Sequence, residues 1–411
     1  MKCVFRNYDC NERIKNIDGE GMYLKILKRK TVKDRICFPI ISIGIFLMSM
    51  FINPDPYLGI ADHYIFMVVY ILSYFPCKRS IMINIDTQIC FFMLCWLMMY
   101  FLVSLTSGGI SSGYILSYLL YVLMLLLING TRHSKTEIKF FLNSYIFSAI
   151  IICILIIVFR YDFYGGGVER ITIKVLNNPA IDPNYLGAYI VVPFIICYGK
   201  LLTKFKWTIC IVEFLLVAGM LSTASRGAML AAVVGVLITT YMYFKENRKI
   251  RKILIIASII MICGVIVLNY VPKNSLIRLF DFNAYEDASN NKRIADWLVG
   301  LEAFYQRPLL GYGLRGEMSI IQEITGFSRI AHNTYIAALL QFGVLGVLLF
   351  GLYIGYLFRK NKNNCTIIGC LVATLIVCVF ISAETSVFLW IPIMMASLIG
   401  NYEKEDAPLI M

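Results

Sequence analysis

Long apolar runs, separated by short polar stretches, fill most of this chain. The run FPIISIGIFLMSMFI at 38–52 is followed by YIFMVVYILSYF, ICFFMLCWLMMYFLV, YLLYVLMLLLI and IFSAIIICILIIVF. About 18 or more such residues cross the hydrocarbon core of a bilayer. Lipid offers the backbone no hydrogen-bond partners, so runs of this kind close their own bonds as helices. The alternation that marks the strands of a membrane barrel is absent. The pattern predicts an all-α fold, a polytopic membrane bundle of about 12 transmembrane helices at 37–53, 61–76, 88–106, 114–129, 140–159, 184–200, 207–222, 227–244, 253–270, 332–358, 366–382 and 385–401.

Charge sets an expected orientation, because cytoplasmic loops carry the lysine and arginine excess. With the N-terminus inside, the inner segments hold 27 Lys and Arg residues against 11 in the outer ones. The expectation is a cytoplasmic segment 1–36, a transmembrane domain 37–401 and a cytoplasmic tail 402–411, in the cytoplasmic (inner) membrane. No cleavable leader is expected, since a polar, basic stretch precedes the first apolar run. The net charge of +13 then belongs to the inner face. It fits contact with anionic lipid, not nucleic acid. The 13 cysteines sit mostly within apolar runs and read as small core residues.

Two expected outer loops are long: 160–183 and 271–331, the second between spans nine and ten. In NNKRIADWLVGLEAFYQRPLLGYGLRG, Ile294, Trp297, Leu298, Leu301, Phe304 and Tyr305 recur at helical spacing. Pro308 and the glycines after it stop the pattern. This predicts an amphipathic helix over 292–306 that lies on the membrane or caps the bundle. DFNAYED at 281–287 reads as loop.

Polar residues at costly positions supply the candidate chemistry. Arg226 lies in LLVAGMLSTASRGAMLAAVVGV, where only a Ser/Thr/Gly turn separates two spans. It either snorkels to the surface or forms an anion site, helped by the hydroxyls of Ser222, Thr223 and Ser225. Arg170 reads as surface. Glu384 and Glu213 are candidate counter-ions for an arginine. In NNPAIDPNYLGAY, Asp182 or Asn184 can cap the following helix. His332, one of three histidines, stands at the mouth of span ten and is followed by Asn333. Its imidazole can take a proton or touch a phosphate. Gly343 and Gly346 lie further along that span, where small residues allow close helix packing.

Four of these pieces, in this order, resemble the O-antigen polymerase and ligase superfamily of Wzy/WaaL-type membrane glycosyltransferases. They are the arginine before NNPAIDPN, the STASRGA turn, the arginine before IADWLVGLEAFYQRPLLGYG, and His332-Asn333 followed after nine residues by Gly343 and Gly346. Residues 1–160 are similar only in hydropathy. IDPN departs from the plain Asn-Pro-Asn of the family, so Asn184 is given no catalytic role.

The resemblance implies transfer of a glycan from a polyprenyl diphosphate carrier on the outer side of the inner membrane, by an inverting, metal-independent enzyme without a cofactor. It implies repeat-unit polymerisation of an O-antigen or capsule. Ligation to lipid A-core is the alternative, and a lipid-linked oligosaccharide flippase is a further alternative from another class. The expected partners are the polyprenyl-diphosphate-linked oligosaccharide, the bilayer, and a chain-length regulator and flippase of the same pathway. The expected catalytic residues are His332, Arg226 and Arg293, with Arg170, Asn333, Ser225 and Glu384 at the substrate and no metal ligands. His332 is either the base for the acceptor hydroxyl or a diphosphate contact.

Overall fold

The computed structural model describes residues 62–77, 83–107, 109, 111–131, 133–158, 161–165, 168–173, 181–247 and 286–405. The expected spans 37–53 and 253–270 and the expected segment 1–36 lie outside the described residues. Among those described there are twelve helices: α1 Asp62–Cys77, α2 Ile85–Thr106, α3 Ser112–Asn129, α4 Lys135–Val158, α5 Pro183–Thr203, α6 Trp207–Ser222, α7 Arg226–Asn247, α8 Glu286–Tyr305, α9 Glu317–Thr325, α10 Thr334–Lys360, α11 Cys365–Val377 and α12 Val387–Glu405. Six of them, α2, α3, α4, α5, α7 and α10, are long and apolar enough to cross a membrane. α6, α11 and the first part of α12 are shorter apolar helices. The protein is a polytopic helical membrane protein.

The bundle is organised around α5. Its apolar stretch is buried almost throughout, whereas α2 turns most of its surface outward. α5 packs on α6, α7 and α11, and α11 lies along α7. One close approach fixes the site geometry. A side chain at Gly187 of α5 would place its Cβ 2.9 Å from the Ala228 Cβ and 3.0 Å from the Ser225 Cβ. The turn between α6 and α7 therefore seats directly on the start of α5.

The structure departs from the pattern-based expectation in four places. The loop 160–183 contains an antiparallel hairpin, β1 Tyr161–Gly165 and β2 Val168–Thr172, with Phe163 opposite Arg170. The stretch 281–287 is not all loop, because α8 begins at Glu286. α11 ends at Val377, five residues short of the expected span. From there the chain leaves the helix to bind the start of α10: Thr334 donates its N–H to the Cys378 carbonyl (2.8 Å) and its hydroxyl to the Ile381 carbonyl (2.6 Å), and Ala383 N–H donates back to Thr334 Oγ1 (2.9 Å).

The fourth departure is in α10. The expected continuous span is broken at Gly343, whose φ of 61° and ψ of −171° no helix contains. A break inside an apolar helix strands main-chain groups that lipid cannot satisfy. Here the Pro308–Gly313 segment satisfies them. Tyr312 N–H donates to the Leu340 carbonyl (2.8 Å) and Gly313 N–H to the Gln341 carbonyl (2.9 Å). In return Val344 N–H donates to the Pro308 carbonyl (2.8 Å) and Leu345 N–H to the Leu309 carbonyl (3.3 Å). Gly343 thus serves a kink, where close packing of two helices was expected. A Cβ there would lie 2.3 Å from the Leu309 carbonyl oxygen.

α8 and α9 pack on the first half of α10 through a small core of their own. Ala303, Phe304, Tyr312, Ile320 and Ile321 meet Ile336 and Leu340 there. This is the expected amphipathic cap, extended by a second helix that the sequence pattern did not suggest. Ile294, Leu298 and Tyr305 face outward on α8.

Candidate functional site

The turn at 223–225 is as tight as STASRGA suggests. Ala224 takes a left-handed φ of 48°. Ser225 Oγ then meets the Ala228 N–H at 3.4 Å, as a first-turn cap of α7, and donates to Asn184 Oδ1 at 3.1 Å. Arg226 is the first residue of α7. A cation at a helix N-terminus opposes the helix dipole.

Asp182 caps α5, its carboxylate accepting the Asn184 N–H at 2.7 Å. That places a carboxylate where Arg293 of α8 and His332 both feel it. Burial, with the like charge of Arg226, holds the Arg293 guanidinium below the ordinary arginine value, and Asp182 opposes this. Burial, with the neighbouring cations Arg293 and Lys292, holds the His332 imidazole below the ordinary histidine value, against Asp182 and Asp296. A half-buried imidazole of lowered basicity is neutral near pH 7 and can take up a proton. Arg226, Arg293 and His332, far apart in sequence, are therefore neighbours in one electrostatic group.

His332 itself is held in a strained backbone. Its φ is 50°, a conformation that non-glycine residues seldom adopt. Both sides of it are fixed. Asn333 caps α10, its side-chain oxygen accepting the N–H groups of Tyr335 (2.9 Å) and Ile336 (3.3 Å). Ala331 donates its N–H to Glu317 Oε1 (2.5 Å), and its carbonyl accepts the Trp297 indole N–H (2.8 Å). Arg329 pairs with Asp296 of α8 at 2.9 Å. α8 and α9 together thus over-determine the histidine loop.

His332 also lines a polar cavity of about 930 Å³. Tyr114, Tyr185, Glu317, Ser382 and Glu384 lie on its other walls. Glu317 spends its second oxygen on the Ser382 hydroxyl (2.8 Å). Burial raises its carboxyl to about 7, against those hydrogen bonds. Burial and the neighbouring Glu317 push Glu384 up to about 8. Glu384 is 5% exposed, and its Oε2 has no hydrogen-bond partner. Among the described residues no arginine pairs with Glu384, and none with Glu213, both of whose carboxylate oxygens are also without partners.

Glu384 lies as well on the wall of a second cavity, of about 510 Å³, bounded mainly by apolar side chains of α2, α3, α10 and α12. Arg170 stands on β2. Glu317, Asp296 and the cavity tyrosines were not foreseen. An acid after LRG at the start of a helix looks like ordinary N-terminal decoration, and only the fold brings Ser382 and Ala331 to it.

The site is thus a pair of half-buried cations beside a histidine and a cavity, in a polytopic membrane bundle. Residues 211–351 match the family described as O-antigen ligase (Wzy_C), which supports the Wzy/WaaL-type superfamily and an O-antigen-related membrane enzyme of glycosyltransferase type. The matched stretch contains Arg226, Arg293 and His332, and excludes Arg170 and Glu384. No curated protein and no solved structure matches the chain.

Proposed function

We propose that the protein is a repeat-unit polymerase of the cytoplasmic membrane. It transfers a glycan from a polyprenyl diphosphate to a lipid-linked repeat unit, on the outer side, with both termini in the cytoplasm. The observation that carries this reading is the gathering of Arg293 and His332 beside Asp182, with Arg226 next to Arg293. The acceptor hydroxyl oxygen attacks the anomeric carbon from the face opposite the leaving group, which inverts the configuration. The C1–O bond to the diphosphate breaks and its electron pair stays on the diphosphate. The hydroxyl proton passes to His332, which burial keeps neutral and able to receive it. Arg226 and Arg293, with Arg170 in support, stabilise the charge gathering on the diphosphate. That task needs neither a metal nor a cofactor. The apolar cavity between α2, α3, α10 and α12 gives a polyprenyl tail a place between the helices.

The description of the matched family favours a second reading, ligation of the finished glycan to lipid A-core. Cells lacking the protein separate the outcomes. Loss of a polymerase leaves an acceptor bearing one repeat unit. Loss of a ligase leaves long chains on the polyprenyl carrier, and loss of a flippase leaves no displayed unit. Complementation with Arg226→Ala, Arg293→Ala and His332→Ala should fail at normal protein levels. Full-length polysaccharide from all three variants would overturn the reading. Partners follow from the same proposal: the lipid-linked oligosaccharide, the bilayer, and a chain-length regulator and flippase acting in the same pathway.

A further inference from the structure

Around His332 the charges are segregated. The guanidinium groups of Arg226 and Arg293 act on one another beside Asp182. The carboxyls of Glu317 and Glu384 line the polar cavity that His332 shares. A diphosphate belongs with the first group; the second, whose carboxyls hold their protons to about 7 and about 8, offers it no cation beyond Arg315, which is paired with Glu323. What the second group can take is a neutral ligand rich in hydroxyl donors.

Three features of the cavity specify such a ligand. Glu384, nine-tenths buried, offers a carboxyl oxygen, Oε2, that nothing in the protein satisfies. An unpaired buried acceptor is costly unless a ligand completes it. Glu317 lacks such an open oxygen, because Ala331 and Ser382 each donate to one of its two. Tyr185 and Phe388 then supply an apolar wall, their ring centroids 5.3 Å apart and both on the cavity. A pyranose ring has the matching surface: hydroxyls at its rim and C–H groups on its face. About 930 Å³ lies within the range of small-ligand sites and is ample for a few sugar rings.

We infer that this cavity is the acceptor-sugar subsite, and that Glu384 receives hydrogen bonds from the hydroxyls of the acceptor glycan while Glu317 positions His332 at its edge. The inference rests on the glycosyltransfer reading, yet it makes its own claim about where the uncharged sugar sits.

Two probes keep the two claims apart. The full-length protein in lipid nanodiscs is titrated with oligosaccharide freed from the host's lipid carrier by mild acid, and separately with inorganic diphosphate. The wild type should bind the oligosaccharide. Glu384→Ala should raise its Kd at least tenfold and Glu384→Gln, which keeps one acceptor oxygen, at least threefold. Neither should alter diphosphate binding, which Arg226→Ala should weaken instead. An unchanged oligosaccharide Kd in Glu384→Gln, or no oligosaccharide binding by wild type, overturns the subsite. If Glu384→Ala fails to fold, Glu384→Gln decides alone. Diphosphate binding that ignores Arg226 while Glu384 controls the sugar would sink the arginine assignment and leave the subsite standing.

Discussion

The two ends of α10 each carry a buried polar cluster, and they are built on opposite plans. At the C-terminal end Lys360, fully buried, donates to Asp86 of α2 at 2.7 Å. Asn361 Nδ2 bonds the Ala396 carbonyl of α12 (3.0 Å), and Ser397 and Asn401 both donate to Asn129 Oδ1 of α3. Charge there is matched by opposite charge, and the bonds tie α2, α3, α10 and α12 together. At the N-terminal end opposite charges are present but like charges also face one another. Arg226 acts on Arg293, and Glu317 on Glu384. His332 is strained, and Glu384 keeps an open oxygen. Such an arrangement costs stability and is found where chemistry or binding repays it. The contrast teaches that burial of charge alone does not mark a functional site. An incomplete buried group beside a cavity and a strained histidine does.

The comparison can be broken most sharply at Lys360. Lys360→Ala leaves Asp86 buried and alone, and should cost about 3–5 kcal/mol in stability. The double variant Lys360→Met, Asp86→Leu should recover much of it. Thermal unfolding in nanodiscs reads both. The opposite plan predicts the opposite behaviour at Arg226. Arg226→Lys should fold as wild type but lose about 10²–10³-fold in glycan transfer, because an ammonium cannot grip diphosphate in two-point fashion. Single-turnover transfer from lipid-linked donor measures this. A destabilised Arg226→Lys would place that arginine with the structural cluster.

Gly343→Ala tests whether the kink is shared by both plans. The positive φ alone should cost about 1–3 kcal/mol, with a further cost from the approach to Leu309. Melting temperature and glycan transfer should fall together.

The smallest expected effect concerns pH. Unfolded, Glu317 and Glu384 titrate near the ordinary glutamate value of about 4.3. Folded, they hold their protons to about 7 and about 8. Between those values the native state binds more protons, so stability should fall as pH rises from about 4.5 to about 8, then level. Glu384→Gln should remove the upper part of that slope, as melting temperatures across the range will report.

Much of the bundle was legible in hydropathy. α6 at Trp207–Ser222 coincides with its expected span, because Lys206 and the Thr223 turn bound one clean apolar run. The hairpin at 161–172 was missed although its Gly-Gly-Gly turn was in plain view; its strands are too short to establish a period. Span eleven was read too long because 378–382 is apolar, and hydropathy cannot register that Thr334 takes those carbonyls. At the site, Arg226 stands out as a charge in a costly place and His332 as a lone histidine at a span mouth, while Arg293 is marked only by the family resemblance. Asp182 was legible only as a cap, and Glu317 not at all, since its partners Ala331 and Ser382 come from distant segments.

The mended break in α10 limits how substrates reach the histidine. Peeling the cap from the bundle would strand two carbonyls and two amides of that helix in hydrocarbon, each at several kcal/mol. The cap cannot act as a swinging door. Under the proposed glycan transfer the sugar enters past the rim of the cap, so narrowing that rim with bulky side chains should throttle traffic without touching any charged group.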